Sequence, residues 1–257
     1  MLKINSIYSR QFLMNDRIPN LRNQISFGAA QSEIAGPCGS VFIPADAEQV
    51  AKWSVTNPHS TNDRFIKRMD LAAPGRNGEV KRWTMVTRGT EKSVGNVSMI
   101  IPVYTAPNGE KSIIFQEEAR PIHLFRNGQN SRLLAFPAGV IGDETKFSSE
   151  SAMDCAVREF GEETGMKIKR IIPLNKEPIM SSPGLTDEAT HFFFAEVESL
   201  KLASKPVTDG GVTRGWWRVP LRNLEPWIKA MENQNKNLTS QTYTGIAKAI
   251  FKGLIRK

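Results

Sequence analysis

Apolar and β-branched residues alternate with polar ones through E-V-K-R-W-T-M-V-T-R at 79–88, and a denser apolar run, N-V-S-M-I-I-P-V-Y, follows at 96–104. Both patterns predict strands. P-N-G at 107–109 turns the chain into S-I-I-F-Q at 112–116, so the second and third strands are expected to form a hairpin. L-L-A-F at 133–136 is another apolar run, ending at Pro137. The period then changes. Met153, Ala156, Val157 and Phe160 recur at i, i+3, i+4 and i+7, which predicts a helix with a buried stripe, Ser149 as its N-cap and Gly165 as its stop. Gly161 inside that helix should cost about 1 kcal/mol relative to Ala. Beyond it, apolar runs at 171–174, 191–197 and 215–219 read as strands, with Trp216 and Trp217 on opposite faces of the last, and 240–255 as a closing helix. Strands and helices mixed in this order indicate an α+β sandwich. Residues 1–78 carry the least pattern: a short helix at 46–53 and turn chemistry at 57–63.

Composition narrows the compartment and the partners. Cys38 and Cys155 are the only cysteines and lack metal or CxxC spacing, so neither a disulfide framework nor a zinc site is expected. His59, His123 and His191 have no neighbour at metal or triad spacing. No signal-peptide stretch or membrane-length apolar run is present, and a cytoplasmic location is the expectation. The net charge of +8 is unevenly placed: residues 139–166 hold Asp143, Glu144, Glu150, Asp154, Glu159, Glu162 and Glu163 against Lys146 and Arg158, so this stretch carries −5 and the remainder +13. A basic surround draws polyanions toward an acidic, metal-binding patch. Scattered basic residues without an aromatic RNA-binding motif argue against nucleic acid.

The acidic patch has a chemistry of its own. Glu159, Glu162 and Glu163 stand at i, i+3 and i+4 behind Arg158, which puts three carboxylates on one helix face. Oxygen donors crowded in this way suit a hard divalent cation such as Mg²⁺, with Mn²⁺ as the second choice. A purely solvated acidic helix face is the alternative.

These residues resemble the signature of the Nudix hydrolases, G-x5-E-x7-R-E-U-x-E-E-x-G-U with U a bulky apolar residue. Glu150, Arg158, Glu159, Glu162, Glu163, Gly165 and Met166 fall in register. Phe160 stands where an aliphatic residue is usual, and ten residues rather than five separate Gly139 from Glu150, which places a five-residue insertion at 145–149. The stretch S-S-P-G-L-T-D-E at 181–188 is similar to the loop after the signature in the ADP-ribose and ADP-sugar pyrophosphatase branch. So is the upstream order of K-R-W-T-M-V-T-R, Q-E-E-A-R-P and F-P-A-G, although an acid usual two residues before the proline is Ala135 here.

The resemblance implies a Nudix-type α/β/α sandwich with a mixed sheet at 79–257, preceded by an extension at 1–78 that could be a β segment for dimerisation. It also implies Mg²⁺-dependent hydrolysis of a nucleoside diphosphate sugar, with ADP-ribose giving AMP and ribose 5-phosphate. Glu159, Glu162, Glu163 and the Ala138 carbonyl become candidate metal ligands. Arg158 and Glu150 orient the metal face, and Glu188 on the later loop activates the attacking water. Trp83 is a candidate for stacking on adenine, and Arg88 and Arg120 for gripping the diphosphate or terminal ribose. Glu117 and Glu118, beside Arg120, either touch the metals or solvate a strand edge, and the second is the expectation. A homodimer is the expected assembly. A different nucleotide substrate (a dinucleotide, another sugar nucleotide or a triphosphate) and a regulatory nucleotide-binding module without turnover remain alternatives.

Overall fold

The computed structural model describes residues 33–44, 66–74, 80–88, 95–128, 130–143, 145–207 and 213–256. The helix expected at 46–53 and the turn at 57–63 lie outside them. Within these residues the strands are β1 (Ile34–Ala35), β2 (Val41–Pro44), β3 (Lys67–Pro74), β4 (Val80–Thr87), β5 (Val97–Thr105), β6 (Lys111–Glu118), β7 (Arg132–Ala135), β8 (Ala138–Val140), β9 (Ile168–Pro173), β10 (Ile179–Met180), β11 (Ala189–Val197), β12 (Thr213–Pro220) and β13 (Lys236–Leu238). The helices are α1 (Pro121–Asn127), α2 (Ala152–Thr164), α3 (Leu224–Glu232) and α4 (Ser240–Phe251).

β3 and β4 pair with each other as an antiparallel ribbon, β4 adding a single bridge from Val86 to Thr186, and the remaining strands join one mixed sheet whose main path runs β1-β2-β12-β6-β5-β11-β10. β5 and β11 are parallel, whereas β5 and β6 form the expected antiparallel hairpin around Gly109, whose φ of 82° explains the glycine. β2 pairs with β12, so residues 41–44, within the stretch with the least sequence pattern, extend the main sheet.

Period-2 alternation fills both faces of this sheet. Ile101, Phe115, Phe192, Phe194, Trp217 and Val219 face one way, onto Leu224, Trp227 and Met231 of α3 and Ile246 and Ala249 of α4. Their neighbours Ile100, Ile114, Phe193, Ala195 and Trp216 face the other, onto Ala156 and Phe160 of α2. Trp216 and Trp217 therefore do lie on opposite faces, each buried. The result is an α/β/α sandwich: dense apolar strands are buried on both sides, which is why they read as runs rather than as alternations.

Two details of the expected helix are corrected. Its N-cap is Ser151, not Ser149: the Ser151 hydroxyl accepts from the Asp154 N–H while the Asp154 carboxylate accepts from the Ser151 N–H, a reciprocal capping box. The buried residues are Cys155, Ala156, Phe160 and Thr164, whereas Met153 and Val157 are exposed at 38% and 44%. The stripe is turned because the sheet takes the side carrying Cys155. Gly165 closes the helix with φ 68°, as expected.

The sheet splits where the site lies. β5 and β6 pair near their hairpin, Val103 with Ile113, and then part: β8 takes up β5 at Met99–Ala138 and β7 takes up β6 at Gln116–Ala135. The chain crosses this gap through Phe136 and Pro137, at the start of the P-A-G turn.

Candidate active site

Helix α2 lays its acids across the gap. Ala138 donates its N–H to Glu163 Oε2 at 3.2 Å, so the last signature glutamate meets the P-A-G turn directly. Gly139 lets a second acid come as close: a Cβ there would overlap the Glu159 carboxylate. One turn back, Arg158 gathers the other acids. Its guanidinium lies 2.8 Å from Glu150, 2.8 Å from Glu159, 3.1 Å from Glu162 and 3.5 Å from Asp143. Glu150 reaches Arg158 from the loop before the N-cap rather than from the helix, so its approach owes nothing to helical spacing; Gly142 N–H also holds it, at 3.0 Å.

The insertion joins this cluster. Residues 145–147 form a 3-10 turn, and the Phe147 ring stacks on the Arg158 guanidinium at 4.2 Å. Neither Phe147 nor Asp143 was singled out from sequence, because neither lies in the signature and only the fold of the loop brings them back over Arg158.

Charge is unevenly satisfied. Burial pushes the Glu150 carboxyl up, but the hydrogen bonds from Arg158 and from Gly142 outweigh it and leave it below its ordinary value. Burial raises Glu159, with Arg158 opposing. Burial and then the Glu118 and Glu159 carboxylates hold Glu163 well above the ordinary range, with Arg120 opposing. The Cys155 thiol, buried behind Arg158, is pushed up to about 12, first by burial and then by Glu150 and Glu159. It is an inert packing group.

Glu117 and Glu118 do not solvate a strand edge: both are buried. β6 is an interior strand here, flanked by β12 and β7, so its last two acids are enclosed. Glu118 turns toward Glu163 and is gripped by Arg120 through Nε at 2.6 Å and Nη2 at 3.2 Å. Arg120 thereby reaches the acid cluster through Glu118. Sequence could have hinted at this, since an E-x-R pair at the end of an apolar strand has no solvent to face if the strand is central.

The later loop approaches from the ribbon side. Val86 N–H bonds Leu185 O at 2.8 Å, Thr87 Oγ1 bonds Asp187 Oδ2 at 2.7 Å, and Arg88 Nη1 lies 3.7 Å from Glu188 Oε2. The loop is also tied to α4, by Gln241 Nε2 to Ser181 Oγ at 3.2 Å. Trp83 lies in β4 opposite Leu71. Arg88 and Glu188 are thus brought together, apart from the Arg158 cluster in their bonding.

The donor set suits a divalent cation: the groups are carboxylate oxygens, and burial disfavours the charged forms of Glu159 and Glu163, which a bound cation would stabilise. Among the described residues no three acids, histidines or cysteines are placed to share one ion. Arg158 draws Glu159 and Glu162 to one side while Glu163 faces Ala138. Also among the described residues, no helix is long and apolar enough to cross a membrane.

A mixed sheet between α2 and the α3–α4 pair, with the signature helix laid on a P-A-G turn at a split in the sheet, is the Nudix-type sandwich. A solved ADP compounds hydrolase shares this fold, with a TM-score of 0.53 and 17% identity over 82% of this chain and 100% of that chain. Two others are similar over less: a NUDIX hydrolase from Nitrosomonas europaea (TM-score 0.41, 19% identity, 63% of this chain and 90% of that one), and the NUDIX domain of Shewanella oneidensis NrtR in a cocrystal with ADP ribose (TM-score 0.43, 12% identity, 62% and 88%). No protein-family model and no curated protein matches the chain.

Proposed function

We propose that this protein hydrolyses the diphosphate bond of a nucleoside diphosphate sugar in the presence of Mg²⁺, with ADP-ribose giving AMP and ribose 5-phosphate. The observation that carries the reading is the meeting of Glu163 with the Ala138 N–H, beside Glu159 and Glu118, at the gap between β5 and β6. Carboxylates converge there with their charge unrelieved, which a structural acid cluster would avoid. The fold shared with an ADP compounds hydrolase supports the same substrate class.

Glu159, Glu163 and the Ala138 carbonyl would hold the cation, with Glu162 beside them. When bound, the cation offsets the charge that builds on the phosphoryl oxygens and acidifies a nearby water. Arg158 keeps Glu150, Glu159 and Glu162 in place, and Phe147 keeps Arg158 from swinging to solvent. Glu188 takes the proton of the attacking water, and Arg88 beside it orients that carboxylate or grips a phosphate oxygen. Water adds to one phosphorus, the bridging P–O bond breaks, and the departing phosphate leaves as a monoester. Arg120, whose hold on Glu118 faces the cluster, and Trp83, on the ribbon, are the proposed substrate contacts.

The test is turnover of ADP-ribose, other ADP- and UDP-sugars, a dinucleotide and nucleoside triphosphates, with and without Mg²⁺, for the wild type and Glu163→Gln. AMP released from ADP-ribose only with Mg²⁺, and at least ~10²-fold more slowly in the variant, is the expected result. Binding of ADP-ribose without any turnover would assign the chain to regulation instead.

A further inference from the structure

Next to Glu118 along β6, Glu117 turns to the other face of the sheet, into a group of cations that the hydrolytic site does not use. Trp217 Nε1 donates to Glu117 Oε2 at 2.7 Å and Lys236 Nζ to the same oxygen at 2.8 Å, while Arg132 Nε lies 4.0 Å from Oε1. Arg214 completes the group. It sits at the irregularity in β12 between Thr213, which pairs with Glu118, and Gly215, which pairs with Glu117. Its charged neighbours are Arg132 and Glu117. Among the described residues, all three cations thus lie around the Glu117 carboxylate. Glu117 is already engaged by Trp217 and Lys236.

Arg214 is the member left unsatisfied. Its Nε and Nη1 are both buried and neither has a hydrogen-bond partner among the described residues. Buried guanidinium donors are nearly always paired, and burial followed by repulsion from Arg132 weakens Arg214's hold on its charge, against the pull of Glu117. Lys236 and Arg132 retain side-chain exposures of 20% and 22%, so the group is open to solvent at its rim. A guanidinium with two idle donors, flanked by two further cations and with solvent access at the rim, is complementary to a tetrahedral oxyanion.

We propose that Arg214, Arg132 and Lys236 form a second anion site, on the α3–α4 face of β6, that takes an oxyanion of the phosphate class. It is separate from the Glu159–Glu163 cluster, which lies on the α2 face, and does not depend on what that cluster hydrolyses. Arg214 supplies Nε and Nη1, Lys236 supplies charge at the rim, and Glu117 holds Lys236 and Arg132 in register.

Thermal denaturation of the full chain in a buffer free of phosphate and sulfate, titrated with sodium phosphate against sodium chloride at matched ionic strength, tests the site. Phosphate should raise Tm saturably and beyond chloride in the wild type and in Glu163→Gln, and its apparent affinity should fall at least tenfold in Arg214→Gln. A phosphate response equal to that of chloride, or one unchanged in Arg214→Gln, overturns the proposal. If Arg214→Gln does not fold, Arg214→Lys keeps the charge and removes the Nε and Nη1 donors; the same loss of affinity is expected, and an unchanged affinity overturns the site. A parallel titration with ribose 5-phosphate identifies the source. Tighter binding than inorganic phosphate, lost in the Arg214 variant, supports a phosphomonoester ligand, and equal binding lost in that variant supports free phosphate.

Discussion

Arg158 is surrounded by more acid than it can neutralise, and the acids around it are held in different ways. Glu150 is enclosed, at 8% side-chain exposure, and paired through both oxygens, whereas Glu162 is 45% exposed. Glu150 is therefore the structural half of the cluster, and its effect on stability should depend on pH. Its folded carboxyl lies below the ordinary 4.5, so the unfolded chain binds the proton first as pH falls. Stability from this pair is fully present above the unfolded value and is lost as pH drops through the folded one. The gap in urea midpoint between wild type and Glu150→Gln should correspond to about 1.5–3 kcal/mol near neutrality and close progressively in acid. A gap that stays constant down through that range would show that Glu150 acts by packing alone. The signature spacing was enough to select Arg158, Glu159, Glu162 and Glu163 from sequence. Asp143 and Phe147 were out of reach, because their contacts are set by a loop, and the choice between the two readings of Glu118 waited on the position of β6 within the sheet.

Helix α2 shows the same limit one level up. Periodicity located it and Gly165 ended it, yet the run S-S-E-S at 148–151 offered more than one cap. The 3-10 turn at 145–147 and the Glu150 N–H bond to Phe147 O at 2.9 Å carry the chain two residues further before the helix begins, and Ser151 then closes the box with Asp154. Ser151→Ala should cost about 1 kcal/mol, whereas Ser149→Ala should stay within about 0.5 kcal/mol. Equal urea midpoints for the two variants would contradict the assigned cap. Two helices, α1 and α3, and the short strands β8 and β13 escaped the sequence reading for a related reason. Seven residues from Pro121 and three from Lys236 are too short for a period to register. They are specified by what they pack on: Trp227 of α3 stacks with Phe115 at 4.8 Å, a contact across 112 positions of sequence.

Across the molecule, the imbalance of charge is the property that reaches beyond any element. The chain carries +8 while its acidic cluster sits in the sheet gap, so an anionic ligand meets an attractive field before it meets the site. If the proposed activity holds, kcat/KM for ADP-ribose should fall several-fold as sodium chloride rises from about 20 to about 200 mM, over which the screening length shrinks from roughly 20 Å to under 10 Å. kcat should change little, since chemistry at the gap is shielded from bulk salt. A salt-independent kcat/KM would remove any role for steering.

Local pattern was sufficient for β4, β5, β6, β7, β9, β11 and β12, for the existence of α2 and α4, and for the acids of the signature. Each of these is a statement about near neighbours: alternation, a 3.6-residue period, a glycine at positive φ, like charges three and four apart. The sandwich itself follows from strands too apolar to leave either face exposed. Pairing decided the rest. The gap between β5 and β6, the burial of Glu117 and Glu118, the meeting of Glu163 with Ala138, the docking of the 181–188 loop on the end of β4 and the idle donors of Arg214 all join segments distant in sequence. Such contacts depend on which strands become neighbours, and no window of residues contains that information.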